Sequence, residues 1–401
     1  MKLAPFHALT PAPDVAARLL SPPYDVMSRE EAKALGADPL SFLRVTRAEL
    51  AMADAVGAYA PEVYGQAKVA LAALLDRGAL SRAPAPIYGV YRLTRGPWRQ
   101  TGLVGLAAVA DYVAGTVKKH ELTRPDKEDD RTRHIDVTGA QTGPVFLATR
   151  ATAAFEAALV AVTGGAPAVD VTTPDGVRHE AWHVVAGSPH ADALVEALAP
   201  MHALYIADGH HRAASAARVA ALRGAPDMGF LAVVFPHDHL QILPYHRLVH
   251  DLGGLTPGDL LERAAASFHV GEPRETPPAP RRHAFGLLIG GAWRELEVRT
   301  ALVDEADPIG SLDAAILQDR LLGPILGIVD PRRDQRIDFV GGIRGTAELE
   351  RRVAAGSALA IAMAPTTLDE LFRVADAGLI MPPKSTWFEP KLADGMFVHL
   401  V

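Results

Sequence analysis

The sequence predicts a mixed α/β fold of the α+β class, because apolar strand-like runs alternate with amphipathic and alanine-rich helical stretches. The clearest example spans residues 203–235, where the run ALYIA leads into an alanine-rich helix and MGFLAVVF returns as a strand. Gly224 ends this helix, and the connection that follows it is short. We therefore interpret the stretch as a β–α–β unit.

The N-terminal half predicts further elements in chain order. After the turn-rich segment SPPYDVMS, Ser28 is expected to cap a helix that has Glu31 in the capping-box position. A second helix is predicted over Val63–Arg77, where apolar residues recur at helical spacing. Predicted strands follow in the runs PIYGVYRLT, TGLVGLAAVADYV and GPVFLAT.

A polar segment separates the last two of these strands. Twelve charged residues lie from Lys118 to Asp136, and they show no apolar periodicity. We predict a long loop here, and loops of this length are usually functional or disordered. The alternative is a solvated charged face, which we expect for Lys127 through Asp130.

The C-terminal part also alternates strands with helices. The runs AFGLLIG and RIDFVGG are predicted strands, and helices are predicted over 311–322 and 366–377. The segment PRETPPAPRRH is predicted to be a linker or a surface loop. In the proline-rich tail, Lys384 and Lys391 are candidates either for a flap that reaches phosphate or for solvated side chains.

The composition excludes several classes of protein. The 401 residues include no cysteine, which excludes disulfides, thiolate metal sites and a cysteine nucleophile. The net charge of −7 provides no basic footprint, so we do not expect nucleic-acid binding.

Without a long apolar run, we expect a cytoplasmic protein with no membrane association. The P-loop, GxSxG and convincing GxGxxG patterns are also missing.

The turn that precedes the alanine-rich helix has the residues of an anion site. A helix N-terminus presents unpaired N–H groups and partial positive charge. Gly209 allows the backbone to approach a ligand closely, and Arg212 offers a planar fork that matches phosphate oxygens. The candidates for a phosphate site are Gly209, His210, His211 and Arg212. An ordinary Asp-Gly turn explains Asp208 alone but not this cluster.

Zinc binding is the alternative that the histidines suggest. Seven of the sixteen histidines fall from His202 to His250, and His246 with His250 has i, i+4 spacing. This spacing suits a metal only on a helix, whereas ILPYHRLV predicts a strand or a turn. Since an HExxH pattern is also missing, a metallohydrolase is the weaker interpretation.

Two short motifs carry a resemblance to a known group of enzymes. HELT at residues 120–123 and ADGHHR at residues 207–212 resemble the motif pair of the free serine kinases of the ParB/sulfiredoxin superfamily. These enzymes phosphorylate the hydroxyl of free L-serine with a nucleotide. Over its whole length the chain resembles domain-of-unknown-function family 1015. The segments that match are SPPYDV, the HE-x-T loop ending in DR at 130–131, ADGHHR, ILPYHRLV and MPPKSTWFEPKL.

The resemblance implies a ParB/sulfiredoxin-like nucleotide-binding domain over residues 1–250. Residues 251–401 would then form a second α/β region whose tail returns to the cleft. By position, Glu121 resembles the general base of the kinases, and the physics agrees because an attacking alcohol must lose its proton. Asp208 is the second catalytic candidate and the candidate ligand of Mg²⁺, since a carboxylate beside phosphate is otherwise repulsive. The candidates for substrate binding are His120, Thr123, Arg131 and Lys384.

Two functions follow from this interpretation. The first is a nucleotide-dependent phosphotransferase, a kinase that uses ADP or ATP, with CTP as a further candidate donor, and Mg²⁺. Its acceptor would be a small hydroxylated metabolite, with free L-serine implied by the resemblance. The second is a ParB-like switch that binds or hydrolyses nucleotide to control a protein or DNA partner. A sulfiredoxin-type reductase is excluded, because the anion turn has histidine where that enzyme needs cysteine.

Overall fold

The computed structural model describes residues 1–24, 27–53 and 56–401, and Asp25 and Val26 of the SPPYDV segment lie outside them. The chain divides into two compact units. The first comprises Met1–Leu240 and Pro390–Val401, and the second comprises Gln241–Glu389. Helices and several β-sheets are present, which confirms the mixed α/β class. None of the described helices combines the length and the apolar character that crossing a bilayer requires.

The elements are numbered along the chain. The strands are β1 (Leu3–Ala4), β2 (Leu9–Pro11), β3 (Leu80–Arg82), β4 (Ile87–Arg95), β5 (Trp98–Ala108), β6 (Val117–Lys118), β7 (Ala140–Gln141), β8 (Val145–Thr149), β9 (Val169–Thr172), β10 (Arg178–Val185), β11 (Leu204–Asp208), β12 (Gly229–Pro236), β13 (Gln241–Leu243), β14 (Tyr245–Val249), β15 (Phe268–Val270), β16 (Ala284–Ile289), β17 (Ala292–Val298), β18 (Ile337–Gly341), β19 (Leu359–Ala362), β20 (Trp387–Glu389) and β21 (His399–Leu400). The helices are α1 (Ala16–Leu19), α2 (Arg29–Gly36), α3 (Leu43–Thr46), α4 (Pro61–Asp76), α5 (Val109–Val113), α6 (Pro125–Thr138), α7 (Ala153–Thr163), α8 (Pro189–Leu198), α9 (His210–Leu222), α10 (Pro257–Ala264), α11 (Asp313–Leu317), α12 (Gly345–Ala354) and α13 (Leu368–Asp376).

The first unit is built on one large sheet. Among the described residues its strand order is β6-β11-β8-β12-β5-β4-β10-β9, and β1 pairs with β5. Helix α9 contacts β8 and β12. Its residues Ala213, Ala216 and Ala220 recur at helical spacing on the face that enters the main apolar core. Alanine lets this helix lie close to the sheet, and its N-terminus directly follows the end of β11.

The prediction of a β–α–β unit over 203–235 is wrong in its topology. Strand β11 pairs antiparallel with β8, whereas β12 pairs parallel with β8 on the other side. The two strands joined by α9 therefore run in opposite directions with β8 between them. A β–α–β unit requires parallel strands. Local patterns predict the strand, helix and strand correctly, but the insertion of β8 between them depends on contacts that are distant in sequence.

The prediction of a loop over residues 118–136 is also wrong, because this segment contains helix α6. Pro125 occupies the first turn, and Gly139 ends the helix with a left-handed φ of 66°. Apolar periodicity is missing because most residues on the buried face are polar or charged. The buried residues are Asp130, Thr132, His134, Ile135 and Thr138. Helix α6 packs on α9, so the polar segment is a structural neighbour of the predicted anion turn.

The predicted capping box is confirmed at the start of α2. The backbone N–H of Glu31 donates to Ser28 Oγ at 3.2 Å, and the backbone N–H of Ser28 donates to Glu31 Oε2 at 2.8 Å. The helix predicted over Val63–Arg77 is present as α4. The predicted strand at 101–113 ends at Ala108, and Val109–Val113 form the short helix α5.

The second unit contains a smaller sheet, with the strand order β15-β17-β16-β19-β14-β18 among its described residues. His246 lies in β14, and its Nδ1 accepts the backbone N–H of Met363 at 3.1 Å. Because β14 is a strand, His246 and His250 lack the helical spacing that a zinc pair requires, as the sequence predicted. The helix predicted over 311–322 is α11 followed by a π-helical turn, Gln318–Leu322.

Candidate functional site

The candidate site is centred on the junction of β11 and α9. Strand β11 ends at Asp208, Gly209 is the N-cap, and α9 begins at His210. Gly209 has a φ of 91°, a conformation that is strained for residues with a Cβ. The glycine therefore lets the strand turn directly into the helix, whose first N–H groups have no partner within the helix.

Asp208 is held between a backbone donor and a lysine. Its Oδ1 accepts the N–H of Gly209 at 2.9 Å, and its Oδ2 accepts from Lys391 Nζ at 3.0 Å. Burial raises the pKa of Asp208, but the charges of Lys391 and Arg212 outweigh burial and hold that pKa well below its usual range. About a third of the Asp208 side chain, 34%, stays exposed, so an ionised carboxylate faces solvent at the turn.

The loop that contains Glu121 is attached to this turn. The backbone N–H of His120 donates to His210 Nε2 at 3.5 Å, and that of Arg124 donates to His211 Nε2 at 3.0 Å. The rings of His120 and His210 meet edge to face, with centroids 4.6 Å apart. Although Glu121 and Asp208 are 87 positions apart in the chain, the two motifs are in contact in the structure.

Both histidine rings of the turn use Nε2 as an acceptor in these bonds. In this geometry only Nδ1 of each neutral ring is left to donate a hydrogen bond to a ligand. Burial lowers the pKa of His120 to about 4, and burial followed by the proximity of His120 lowers the pKa of His210 well below its usual value. His120 and His210 are therefore neutral at pH 7.

His120, Glu121 and His210 form a set that could hold a divalent cation. One ring nitrogen or carboxylate oxygen from each lies within 4.8 Å of the others, with both histidines buried and Glu121 exposed. Imidazole ligands suit zinc and similar metals, whereas Mg²⁺ prefers oxygen ligands. Asp208 supplies such an oxygen, and its assignment to Mg²⁺ stays a prediction.

Arg212 lies in the first turn of α9, but its guanidinium points to the chain around β8. Its Nη1 donates to the carbonyl of Pro144 at 2.8 Å, and its Nη2 lies 3.9 Å from Asp394 Oδ1. Arg212 lines a cavity of about 30 Å³, enough for about one water molecule. A Cβ at Gly143 would collide with the Asp394 carboxylate, so this position needs a glycine.

Arg131 of α6 lines the same small cavity from another side. Its guanidinium bonds to Asp130 Oδ2 at 2.7 and 2.9 Å and lies 4.3 Å from the ring centroid of Tyr24. It also lines a larger cavity of about 350 Å³, whose polar lining includes Arg47, Glu49, Tyr59, Lys127 and Asp130. Arg131 therefore lines both the small cavity beside Arg212 and the larger cavity.

A third cavity of the first unit lies beside Lys391 and has a volume of about 340 Å³. Its lining is mainly apolar and includes Leu20, Pro22, Pro23, Leu35 and Pro174. Lys391 belongs both to this lining and to the ion pair with Asp208. The lysine thus connects the anion turn with an apolar space large enough for a small ligand.

Two of the predicted substrate residues have other partners. Thr123 Oγ1 donates to Glu128 Oε2 at 2.8 Å, near the start of α6. Lys384 lies in the second unit, where its Nζ is 5.4 Å from the centroid of the Tyr245 ring. A contact of either residue with substrate stays a prediction. Sequence reasoning missed Asp394 and Gly143, for which no local pattern gives a signal.

A comparison with models of protein families assigns the chain to a known family. The family model described as "Protein of unknown function (DUF1015)" matches residues 3–315, most of the chain. The chain belongs to this family. No curated protein matches it.

Solved structures show weak similarity to this DUF1015 protein. A mutant free serine kinase in complex with AMP has a TM-score of 0.36 and 15% identity, over 68% of this chain and 84% of that chain. A conserved hypothetical protein from Pyrococcus furiosus has a TM-score of 0.36 and 15% identity, over 71% and 92%. C-terminally truncated SbnI from Staphylococcus aureus has a TM-score of 0.37 and 11% identity, over 73% and 85%.

Proposed function

We propose that this DUF1015 protein is a small-molecule kinase that transfers a phosphoryl group from ADP or ATP to a hydroxyl of a small metabolite. The observation that carries the proposal is the attachment of the Glu121 loop to the N-terminus of α9. It places a carboxylate, two neutral histidines and a helix N-terminus around one turn. The resemblance of the two joined motifs to those of the free serine kinases supports it and suggests L-serine as the first acceptor to test.

The phosphates of the nucleotide would bind at the first turn of α9. Backbone N–H groups from residues 210–211, the α9 dipole and Arg212 favour negative charge there. Lys391 is a second cation at the turn, and an incoming phosphate offers it a partner that carries more charge than Asp208 does. The apolar cavity beside Lys391 is a suitable space for the nucleoside.

Asp208 fits the role of a Mg²⁺ ligand in its chemistry. It is ionised, partly exposed, and already binds a cation, Lys391. Bound Mg²⁺ would neutralise phosphate charge that develops during transfer. The nearby histidines are poor ligands for Mg²⁺, so Asp208 is the better candidate of the residues at the turn.

Glu121 would act as the general base. The acceptor hydroxyl loses its proton to the Glu121 carboxylate as its oxygen bonds to the terminal phosphorus of the nucleotide. The bond from that phosphorus to the bridging oxygen breaks, and the nucleotide leaves with one phosphate fewer. Arg131 and the polar cavity of about 350 Å³ beside it would hold the acceptor.

The test is direct detection of a phosphorylated product. The purified chain would be incubated with ADP, ATP or CTP and Mg²⁺, together with L-serine and a panel of small alcohols, and followed by ³¹P NMR. We expect a phosphate monoester to form with an adenine nucleotide. If wild-type protein that binds nucleotide forms no monoester with any acceptor, the kinase assignment is wrong.

A further inference from the structure

The second unit contains a cavity of its own that the proposed kinase does not use. It has a volume of about 360 Å³, within the range of small-ligand pockets. Its lining includes Arg247, Gln318, Leu322, Val329, Arg332 and Pro382. All of these residues belong to the second unit, so the cavity is complete within it.

Arg247 is the unusual member of this lining, because it is a buried cation. Only 3% of the residue is exposed, and its guanidinium lies 4.6 Å from the centroid of the Phe339 ring. Its Nη1 donates to the carbonyl of Tyr245 at 2.8 Å, and its Nη2 donates to the carbonyl of Lys384 at 3.3 Å. Among the described residues no carboxylate pairs with it.

A buried charge without a counter-ion is costly, and proteins usually pair it. Burial lowers the pKa of Arg247 to about 10, so the group is still protonated at pH 7. Its two hydrogen bonds use two of the five N–H groups of a guanidinium, and the others remain for a ligand. A cavity that contains such a group is suited to an anion.

One local feature of the backbone lies at the same cavity, and a second contacts Arg247. Gln318 begins the π-helical turn, and its Oε1 is buried without a hydrogen-bond partner among the described residues. Lys384, whose carbonyl accepts from Arg247, has a φ of 58° although it is not a glycine. π-Helical turns and left-handed non-glycine residues are both frequent at functional sites.

We propose that this cavity binds a small organic carboxylate with an apolar body. The Arg247 fork matches the two oxygens of a carboxylate. The remaining lining is mainly apolar and includes Ala314, Leu322, Val329 and three prolines. Its one carboxylate, Asp330, is already paired with Arg332, whose Nε donates to Asp330 Oδ1 at 2.9 Å. A phosphate is less suitable as a ligand. It carries more charge than a carboxylate, and one buried arginine cannot offset the free-energy cost of removing that charge from water.

The test is calorimetric titration of the full chain with hexanoate and benzoate, and with their amides hexanamide and benzamide as neutral analogues. We expect at least one carboxylate to bind, and its amide to bind at least tenfold more weakly. Ala314→Leu fills the cavity and leaves Arg247 in place, so it should abolish this binding. Arg247→Met should do the same, and Arg333→Met, whose exposed side chain lies outside the cavity, should not.

Any of four results would overturn the proposal. The first three are the absence of carboxylate binding at millimolar concentration, equal affinity for carboxylate and amide, and binding that survives in a folded Ala314→Leu protein. Binding of inorganic phosphate in place of the carboxylates would also overturn it. Because Arg247→Met removes a buried group and can impair folding, Ala314→Leu with a wild-type unfolding midpoint decides the question.

Discussion

Lys391 Nζ lies 3.0 Å from Asp208 Oδ2, and 183 positions separate the two residues in the chain. The ion pair joins the segment 390–401 to the anion turn inside the first unit. Because the Lys391 side chain is 17% exposed and that of Asp208 is 34% exposed, the pair is open enough for a ligand to exchange with either partner.

Lys391→Met should weaken nucleotide binding by about tenfold, because it removes one phosphate partner of about 1 kcal/mol. It should also reduce stability at neutral pH. The folded-state pKa of Asp208 is depressed, so its contribution is present above about pH 4 and is lost as the pH falls toward the folded-state pKa. Urea unfolding of both proteins at pH 7 and pH 3 measures this difference, which should shrink at pH 3.

The control is Lys68→Met, on the exposed face of α4. It removes the same charge from the chain without touching the turn. If both variants lower nucleotide affinity equally, the effect comes from net charge and not from a contact between Lys391 and phosphate.

Arg212→Ala should weaken nucleotide binding by roughly 10- to 100-fold, since a charge-assisted hydrogen bond is worth about 1.5–3 kcal/mol. It should also cost stability, because the Pro144 carbonyl loses its donor and the buried Asp394 loses a nearby cation. Calorimetry with ADP and thermal unfolding separate the two effects. Unchanged affinity in a folded variant would remove Arg212 from the phosphate site.

Gly143→Ala is a matched perturbation of the region where Arg212 approaches Asp394. The added methyl group meets the Asp394 carboxylate and should destabilise the fold by about 1–3 kcal/mol. It removes no donor from the helix N-terminus. We therefore expect a lower unfolding midpoint, with a nucleotide affinity closer to wild type than that of Arg212→Ala. If Gly143→Ala instead lowers nucleotide affinity more than Arg212→Ala does, then Arg212 acts through packing and not through a contact with phosphate.

The turn at 208–212 was predictable because its signals are local. An apolar run, a glycine and an alanine-rich stretch fix a strand, a left-handed N-cap and a helix within a few residues. Helix α6 was missed because its buried face carries Asp130, Thr132 and His134, so apolar periodicity gave no signal. The Lys391 to Asp208 pair depends on the return of the chain to the first unit, which no local pattern indicates.

Acid should detach the Glu121 loop from the turn. His210 Nε2 accepts the N–H of His120, so protonation of this nitrogen replaces an acceptor by a donor and breaks the bond. The pKa of His120 is lowered to about 4 and that of His210 also lies well below 6.5. Their contribution to stability is therefore present above about pH 6.5 and is lost as the pH falls toward about 4.

The expected destabilisation across this interval is on the order of 3 kcal/mol for His120 alone, before other groups are counted. NMR titration of the ring nitrogens should show both histidines neutral at pH 6, and the amide signals of residues 120–124 should shift only as the rings become charged. His120→Asn should flatten the stability profile in this interval. Titration of both rings near pH 6.5 would contradict the buried, neutral arrangement.

Glu121→Gln should retain nucleotide affinity and lower kcat by about 10²- to 10⁴-fold, because it keeps the shape of the side chain and removes the proton acceptor. The readouts are calorimetry with ADP and the rate of monoester formation measured by ³¹P NMR. Glu62→Gln, at the exposed N-terminal turn of α4, is the matched control and should leave both quantities unchanged.

The same pair of variants separates the kinase from a ParB-like nucleotide switch. In a switch the phosphoryl acceptor is water or absent, so wild-type protein would hydrolyse nucleotide in response to DNA or a protein partner and form no phosphorylated metabolite. Glu121→Gln would then lower hydrolysis alone, since the carboxylate would orient water and not an alcohol. In a kinase, the acceptor hydroxyl competes with water for the same phosphorus, and wild-type protein forms monoester in preference to free phosphate. The ratio of monoester to free phosphate, measured in wild type with saturating acceptor, therefore distinguishes the two functions. A high ratio makes Glu121 the base for an alcohol, and a ratio near zero makes it a residue that orients water.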